Sequence, residues 1–309
     1  MNVNVRPSES QLDCFGMTDV GKIRESNQDH FLIASMKKSL DALQASFSHD
    51  RQNHLTSRQG HLFIVADGMG GHVAGDIAAE MAIKSFADYV LSRMHWHLHS
   101  EESQEKKVLD AFVNALTFCQ NGLHEFAKRV PECKGMGTTL TVAYLAWPKL
   151  FVLHAGDSRC YLNSGQSLRQ LTTDHTVKQR LIDEGQITHE QASRSPFASC
   201  IWNAIGGNDD AVEPQLVCVE LKPGDTIFLC SDGLTKHLSD QEIATQLQSG
   251  LSAEQACRQL VQATLDAGGS DNVTVVVARL DYENRDVSTC FFGNDVQERT
   301  ACLEDSTHY

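Results

Sequence analysis

Five aspartates of this sequence stand where an apolar segment meets glycine, serine or asparagine. In that setting a carboxylate is not expected to be a core side chain. They are Asp29, Asp67, Asp157, Asp232 and Asp271. Each one alone is more typical of a turn or a helix cap than of a functional site. If the segment ends converge at one edge of a sheet, however, several like charges meet, and proteins resolve that by protonation or by divalent cations. An all-oxygen cluster suits Mg²⁺ or Mn²⁺.

Arg24 lies close in sequence to the first of these aspartates. A guanidinium fork beside metal ions can grip two phosphoryl oxygens, whereas a lysine supplies only a point charge. The alternative is an ordinary surface arginine. Together with the aspartates, Arg24 indicates metal-assisted chemistry on a phosphoryl group.

The segments that position these residues alternate between two hydrophobic periods, which predicts layers of strands and helices. The strand-like segments are 12–20, 29–34, 61–67, 138–146, 150–154, 159–163, 214–221, 226–230 and 272–280. The helical patterns cover 74–94, 108–126, 176–184, 240–248 and 253–266. The polar stretch 37–60 is predicted to be a solvated excursion, and 174–207 an inserted flap.

Composition narrows the range of partners and locations. The 309 residues include 40 acidic and 26 basic side chains, a formal net charge of −14 that argues against a nucleic-acid partner. No apolar run has the length of a signal peptide core or a membrane span, so we expect a cytoplasmic protein. The 10 cysteines form no C-x-x-C pair and are interpreted as small core side chains in a reducing compartment.

A series of motifs in a fixed order identifies a family. The motifs are T-D-V-G-K-I-R-E-S-N-Q-D (18–29), V-A-D-G-M-G-G-H (65–72), G-M-G-T-T-L (135–140), A-G-D-S-R (155–159), L-T-T-D-H (171–175), N-A-I-G-G (203–207), C-S-D-G-L (230–234) and S-D-N-V-T (270–274). With these motifs the chain resembles the metal-dependent protein phosphatases of type 2C, especially their bacterial branch, over roughly residues 12–280.

The resemblance implies an α+β fold, a four-layer α-β-β-α sandwich with two central, mainly antiparallel sheets flanked by helices. It implies one phosphatase domain over 1–282, with the flap at about 174–207 as an insertion. The remaining 283–309 are acidic and without periodicity, which is typical of a flexible tail.

The resemblance also assigns metal-binding roles, residue by residue. Asp67 matches the carboxylate that bridges two metal ions, and the carbonyl of Gly68 completes one coordination shell. Asp232 and Asp271 match ligands of the second metal, with Asp29 in or near the same shell. The implied cofactors are two Mn²⁺ or Mg²⁺ ions in the core site.

Further roles follow from the same motifs. Asp157 resembles a ligand of the family's third, weaker metal site, and Arg24 resembles its phosphate-gripping arginine. Two positions depart from the pattern. Gln28 stands where many relatives have glutamate, which removes one charge near the metals, and Met69 stands where eukaryotic members have the histidine regarded as general acid. His72, three residues later, is the candidate substitute.

The implied activity is hydrolysis of phosphoserine and phosphothreonine in proteins by a metal-activated water, without a phosphoenzyme. The implied partners are phosphorylated proteins, including a serine/threonine kinase of bacterial signalling and its targets. The alternative is a catalytically degenerate domain that acts as a regulatory or phosphopeptide-binding module.

Three other interpretations rest on short motifs. The glycines of 65–76 resemble a dinucleotide cradle but lack its third glycine. Ser158, with Asp305 and His308 elsewhere in the chain, could form a serine hydrolase set. The alternating histidines of 95–99 suggest zinc, but such spacing at a helix end does not aim three imidazoles at one point.

Overall fold

The computed structural model describes residues 12–40, 56–93, 102–165, 167–192, 200–207, 211–247 and 250–280. Its strands are β1 (Leu12–Asp19), β2 (Asp29–Leu40), β3 (Thr56–Met69), β4 (Gly137–Thr138), β5 (Leu140–Ala146), β6 (Lys149–Ala155), β7 (Arg159–Ser164), β8 (Ser167–Gln170), β9 (Ile205–Gly206), β10 (Gln215–Glu220), β11 (Thr226–Cys230) and β12 (Val273–Leu280). Its helices are α1 (His72–Arg93), α2 (Glu102–Arg129), α3 (Val177–Asp183), α4 (His189–Ala192), α5 (Asp232–Thr235), α6 (Asp240–Leu247) and α7 (Ala253–Asp266).

The strands of this part of the chain form two sheets in which every pairing is antiparallel. One sheet has the order β1-β12-β11-β7-β8. The other has the order β10-β6-β5-β3-β4-β9, and β2 also pairs with β3. Each sheet turns one face to the other sheet, and helices pack on its other face.

Three apolar clusters define the layers. Phe63, Val152 and Val276 belong to the cluster between the two sheets. A second cluster joins α1 and α2 to the sheet that contains β3, and a third joins α5, α6 and α7 to the sheet that contains β12. The order of layers is therefore helix, sheet, sheet, helix, which confirms the predicted α+β four-layer sandwich.

The predicted helices and strands agree with the structure at most positions, but the polar stretch 37–60 was interpreted wrongly at both ends. Strand β2 continues to Leu40 and β3 already begins at Thr56, and these two residues face each other in the ladder. A two-stranded antiparallel extension needs only backbone hydrogen bonds, so it forms without an apolar pattern. The middle of that stretch, the histidine run 95–99 and the tail 283–309 lie outside the described residues.

The segment predicted as a flap closes on itself at its base. Thr176 and Ile201 form an isolated antiparallel bridge, and the backbone N–H of Val177 donates to the Cys200 carbonyl at 2.8 Å. Helix α3 begins at a Thr176 cap, whose hydroxyl accepts from the Gln179 N–H. The two ends of the flap are thus held together beside the sheet edges.

Two further sequence expectations concern cysteines and membranes. The eight cysteines in the described ranges are free thiols. Burial raises the pKa of several, to about 12 for Cys119, so they behave as apolar core side chains. None of the helices in the described part of the chain combines the length and apolar composition needed to cross a membrane.

Replacing Phe112 with alanine tests the packing of the helical layer on the sheet. The Phe112 ring is fully buried, and its centroid lies 5.5 Å from Phe86 and 6.1 Å from Tyr144. We expect the free energy of unfolding to fall by about 3–5 kcal/mol in urea titrations with chelator present, since a large cavity remains. The control Leu91→Ala, on the exposed side of α1, should change it by less than about 0.5 kcal/mol. Equal effects of the two substitutions would contradict the described packing.

Candidate metal centre

Two of the predicted aspartates face each other across a strand pair. Asp29 is the first residue of β2 and is paired in register with Asp67, near the end of β3. Thr139 fixes the backbone of Asp67 on the other side, because its hydroxyl accepts from the Asp67 N–H and its own N–H donates to the Asp67 carbonyl, both at 2.9 Å. The ladder itself therefore brings two carboxylates to one edge of the sheet.

The second sheet contributes Asp232 and Asp271. Strand β11 ends just before Ser231, and β12 begins just after Asn272. Ser231 joins the sheets, since its hydroxyl donates to Asp29 Oδ2 at 2.6 Å and its N–H donates to the Thr274 carbonyl at 3.0 Å. The ends of β11 and β12 are thereby held against the start of β2.

Asn272 provides a second tie between the two sheets. Its Oδ1 accepts from the Gln28 N–H, and its Nδ2 donates to the carbonyls of Val20 and Ser26, all at 2.9 Å. The Gln28 side chain donates to the Gly71 carbonyl at 2.7 Å. Gln28, which departs from the family pattern, thus orders the loop that follows Asp67.

Asp157 lies in the turn from β6 to β7, between the two sheets. The turn depends on Gly156, which has a φ of +117° and leaves no space for a Cβ beside Thr139. The Gly156 N–H donates to His175 Nδ1 at 3.3 Å, and His175 stands at the base of the flap. The position of Asp157 is therefore coupled to the flap.

A cleft of about 420 Å³ opens at this edge. Its lining includes four of the five predicted aspartates, the exception being the deeply buried Asp29, and the predicted Arg24 and Gly68. Gly68 tolerates no side chain, because a Cβ would collide with the carbonyl of Gly75 and approach that of Gln28 to 2.9 Å. Ile201, at the base of the flap, also lines the cleft.

Burial and mutual repulsion disfavour the ionised forms of the aspartates. Burial, followed by the charges of Asp29, Asp232 and Asp157, raises the pKa of Asp67 well above its ordinary value. Burial likewise raises the pKa of Asp157 well above its ordinary value. For Asp29, burial outweighs the hydrogen bonds from Ser231 and Thr274, and its pKa rises to about 6. Such a cluster gains from any cation that enters it.

Two basic side chains of the protein already reach part of the cluster. Arg24 forms a fork on Asp271, with Nε 2.7 Å from Oδ1 and a terminal nitrogen 3.0 Å from Oδ2. Lys236 Nζ lies 2.6 Å from Asp232 Oδ2 and 2.7 Å from Asp271 Oδ2. Burial would raise the pKa of Asp271, but the hydrogen bonds from Arg24 and Lys236 lower it below its ordinary value.

The remaining carboxylate oxygens fit a hard divalent cation. Oδ1 atoms of Asp29, Asp157 and Asp232 are buried without a hydrogen-bond partner. Buried unpaired carboxylate oxygens are costly, and Mg²⁺ and Mn²⁺ prefer such ligands together with water. Within the described residues no three acidic, histidine or cysteine side chains already surround one point. The residues present fit metal ions that complete their shells with water and with the Gly68 carbonyl.

Comparison with known proteins identifies the family. Residues 44–272 match the family model described as "Protein phosphatase 2C". The chain belongs to the protein phosphatase 2C family. The serine/threonine protein phosphatase PstP of Mycobacterium tuberculosis is 42% identical over 228 residues, which are 72% of this chain and 41% of PstP. This chain thus spans about two fifths of the length of that relative.

A second relative is matched over almost its whole length. The protein phosphatase PhpP of Streptococcus pneumoniae is 32% identical over 269 residues, 87% of this chain and 97% of PhpP. Among solved structures, the catalytic domain of PstP in complex with two manganese ions is 32% identical, with a TM-score of 0.66 over 87% of this chain and 97% of that one. This chain therefore has the phosphatase 2C fold, with a site for two metal ions, Mn²⁺ or Mg²⁺.

Some site residues were missed by sequence reasoning. The missed residues that contact or orient the predicted aspartates are Lys236, Thr139, Ser231 and Asn272. The last three lie inside the quoted motifs without a predicted role, and Lys236 follows Asp232 by four residues, a spacing that allows contact on a helix. His72 begins α1 directly after Gly70 and Gly71, which line the cleft, and its side chain lies outside the described part.

The serine hydrolase hypothesis is wrong for Ser158. Its side chain is fully buried, with the hydroxyl 2.8 Å from the Thr139 hydroxyl. A nucleophile must reach substrate, so this residue is structural.

The raised pKa of Asp29 predicts a pH effect on the metal-free phosphatase fold. A carboxyl that holds its proton more tightly in the folded state stabilises the fold at low pH, and this contribution is lost as pH rises from about 4 through about 6. The free energy of unfolding can be measured in urea with chelator at several pH values. Between about pH 4 and pH 6 it should fall less steeply for Asp29→Asn than for wild type, because the substitution removes the ionising group. Parallel pH profiles for the two proteins would contradict the assignment.

Proposed function

We propose that this protein is a metal-dependent serine/threonine phosphatase that hydrolyses phosphoserine and phosphothreonine in proteins. The observation that carries the proposal is the convergence of the predicted aspartates with Arg24 around one cleft, with buried carboxylate oxygens that lack partners. Family membership supports the same activity. The name of PstP describes a serine/threonine protein phosphatase, and that of PhpP a protein phosphatase.

The proposed metal ligands are those expected from the sequence. Asp67 and the Gly68 carbonyl would hold the first ion and Asp67 would also bridge to the second, which Asp232 and Asp271 would hold with Asp29 nearby. Asp157 would serve a third, weaker site. Bound Mn²⁺ or Mg²⁺ supplies Lewis acidity for the phosphoryl oxygens and lowers the pKa of water, so that water can attack phosphorus.

Arg24 is proposed to bind the phosphoryl oxygens. Its side chain is 52% exposed and its fork is held over the cleft by Asp271, so the guanidinium is placed before the substrate arrives. His72 is proposed to protonate the departing serine or threonine oxygen, since it begins α1 directly after Gly70 and Gly71 of the cleft.

The physiological setting is proposed from the flap, the family and the buried thiols. The flap base at Ile201 borders the cleft and would shape access for a phosphopeptide. The partners would be phosphorylated proteins, including a serine/threonine kinase and its targets. Buried free thiols such as Cys160 and Cys230 support a reducing, cytoplasmic location. The catalytic domain would extend over 1–282, with 283–309 as a flexible tail.

Hydrolysis of a phosphothreonine peptide tests the activity. Purified protein should release phosphate with Mn²⁺ or Mg²⁺ and not with chelator. Asp67→Asn should reduce kcat/KM by roughly a thousandfold or more, because the shared metal ligand is lost. Asp266→Asn, an exposed aspartate at the end of α7, is the matched control and should retain wild-type rates. A folded protein without activity under every metal condition would favour the degenerate binding module instead.

Arg24→Lys tests the phosphoryl grip. A lysine keeps the charge but not the fork, and a charge-assisted hydrogen bond is worth about 1.5–3 kcal/mol, so kcat/KM should fall about 10- to 100-fold. Arg258→Lys is the matched control, because Arg258 also donates through Nε and a terminal nitrogen to one carboxylate, that of Glu254. This pair lies on the exposed face of α7. If saturating Mn²⁺ restored the wild-type rate, Arg24 would act only through Asp271.

A further inference from the structure

Lys236 is a cation of the protein itself inside the aspartate cluster. It follows α5, and its backbone N–H donates to the Asp232 carbonyl at 2.9 Å. This helical turn places the side chain over the Asp232 carboxylate, and Nζ bridges Asp232 and Asp271 at 2.6 and 2.7 Å. These are the two carboxylates proposed to hold the second metal ion.

The bonds to Lys236 and Arg24 divide the cluster into two unequal parts. Three of the four carboxylate oxygens of Asp232 and Asp271 are bonded to these basic side chains. Asp29 and Asp157 each keep a buried oxygen without a partner and have no bond to these two basic side chains, whereas Asp232 keeps only Oδ1 unpartnered. Charge is therefore compensated by the chain at the Asp232–Asp271 pair, whereas the rest of the cluster depends on an external cation.

We propose that Lys236 is an internal counter-cation that competes with the second metal ion for Asp232 and Asp271. This inference rests on the proposed function, because it concerns occupancy of the same site. A divalent ion bound to Asp232 Oδ2 and Asp271 Oδ2 would lie close to the Lys236 ammonium group that is bonded to the same two oxygens, and the two cations would repel each other strongly. Metal binding at this pair therefore requires Lys236 to leave.

The geometry allows that departure. The Lys236 side chain is 36% exposed, and a lysine carries its charge on a flexible four-carbon stem that can turn to solvent. Among the described residues, no basic side chain is bonded to the proposed ligands Asp67 and Gly68 at the first metal position, in contrast to Asp232 and Asp271. We therefore expect stepwise loading, in which the first ion binds tightly and the second binds only at higher metal concentration.

Removal of the ammonium should have opposite effects on metal affinity and on the metal-free fold. Without Lys236, the Asp232 oxygens are freed from their bonded ammonium and only Arg24 remains on Asp271, so the second ion should bind more tightly. The same pair loses a counter-charge when no metal is present, so the metal-free protein should melt at a lower temperature. If Lys236 had a purely structural role, its removal would lower both the stability of the metal-free protein and its metal affinity.

The test is a Mn²⁺ titration of the full chain, followed by the electron paramagnetic resonance signal of free aqueous Mn²⁺, which counts bound ions without an activity assay. Lys236→Met should lower the Kd of the weaker Mn²⁺ class at least tenfold relative to wild type. Lys236→Gln provides a second neutral variant, and Lys236→Arg, which keeps the charge, should retain weak binding. Lys84→Met is the matched control, because Lys84 pairs with Glu80 at the same i,i+4 spacing on exposed α1.

Melting curves with chelator provide the second readout. We expect Lys236→Met to lower the Tm of the metal-free protein, and Mn²⁺ to raise the Tm of this variant more than that of wild type. Equal or weaker Mn²⁺ binding by both neutral variants would overturn the competition while leaving the phosphatase proposal intact. Absence of Mn²⁺ binding in wild type and in both variants would overturn the competition and the metal assignment together.

Discussion

The structure is organised by the cost of placing several carboxylates at one partly buried edge. Asp29 and Asp67 face each other in a strand ladder, and burial and mutual repulsion raise the pKa of each. Such an arrangement is unfavourable in a protein that only needs a stable fold. It becomes useful when cations compensate the charge, and therefore the rest of the site can be understood as the means of holding these oxygens in place.

The two-sheet sandwich holds the oxygens because its strand ends meet at the same edge. Each sheet alone supplies only some of the carboxylates, and the link between them consists of short polar contacts. Ser231 joins the end of β11 to Asp29, and Asn272 joins the start of β12 to the loop before β2. Tight apolar packing between the sheets keeps these contacts in register, so the core determines the spacing of the charged groups.

Sequence patterns predicted the aspartates and most elements because both leave local signals. An apolar run with period two that stops at Asp-Gly marks a strand end, and a carboxylate there is visible without knowledge of the fold. Contacts such as Thr139 with Asp67 join residues far apart in the chain, and a single threonine between two strands shows no pattern that signals them. Short elements such as β8, β9 and α4 span 4, 2 and 4 residues, too few to show a period. The extension of β2 and β3 was missed for a different reason, since its stability comes from backbone pairing.

Charge balance links metal loading to the phosphate binding proposed for this edge. With all aspartates ionised, the cluster carries five formal negative charges against the two positive charges of Arg24 and Lys236. A phosphoryl dianion would be repelled by that deficit of three. With Lys236 displaced, the two divalent ions and Arg24 supply five positive charges against the five negative ones, so the deficit that would repel a phosphorylated side chain disappears only when both ions are bound. Because Lys236 holds the pair proposed for the second ion, it influences the metal concentration at which the negative charge of the site is cancelled.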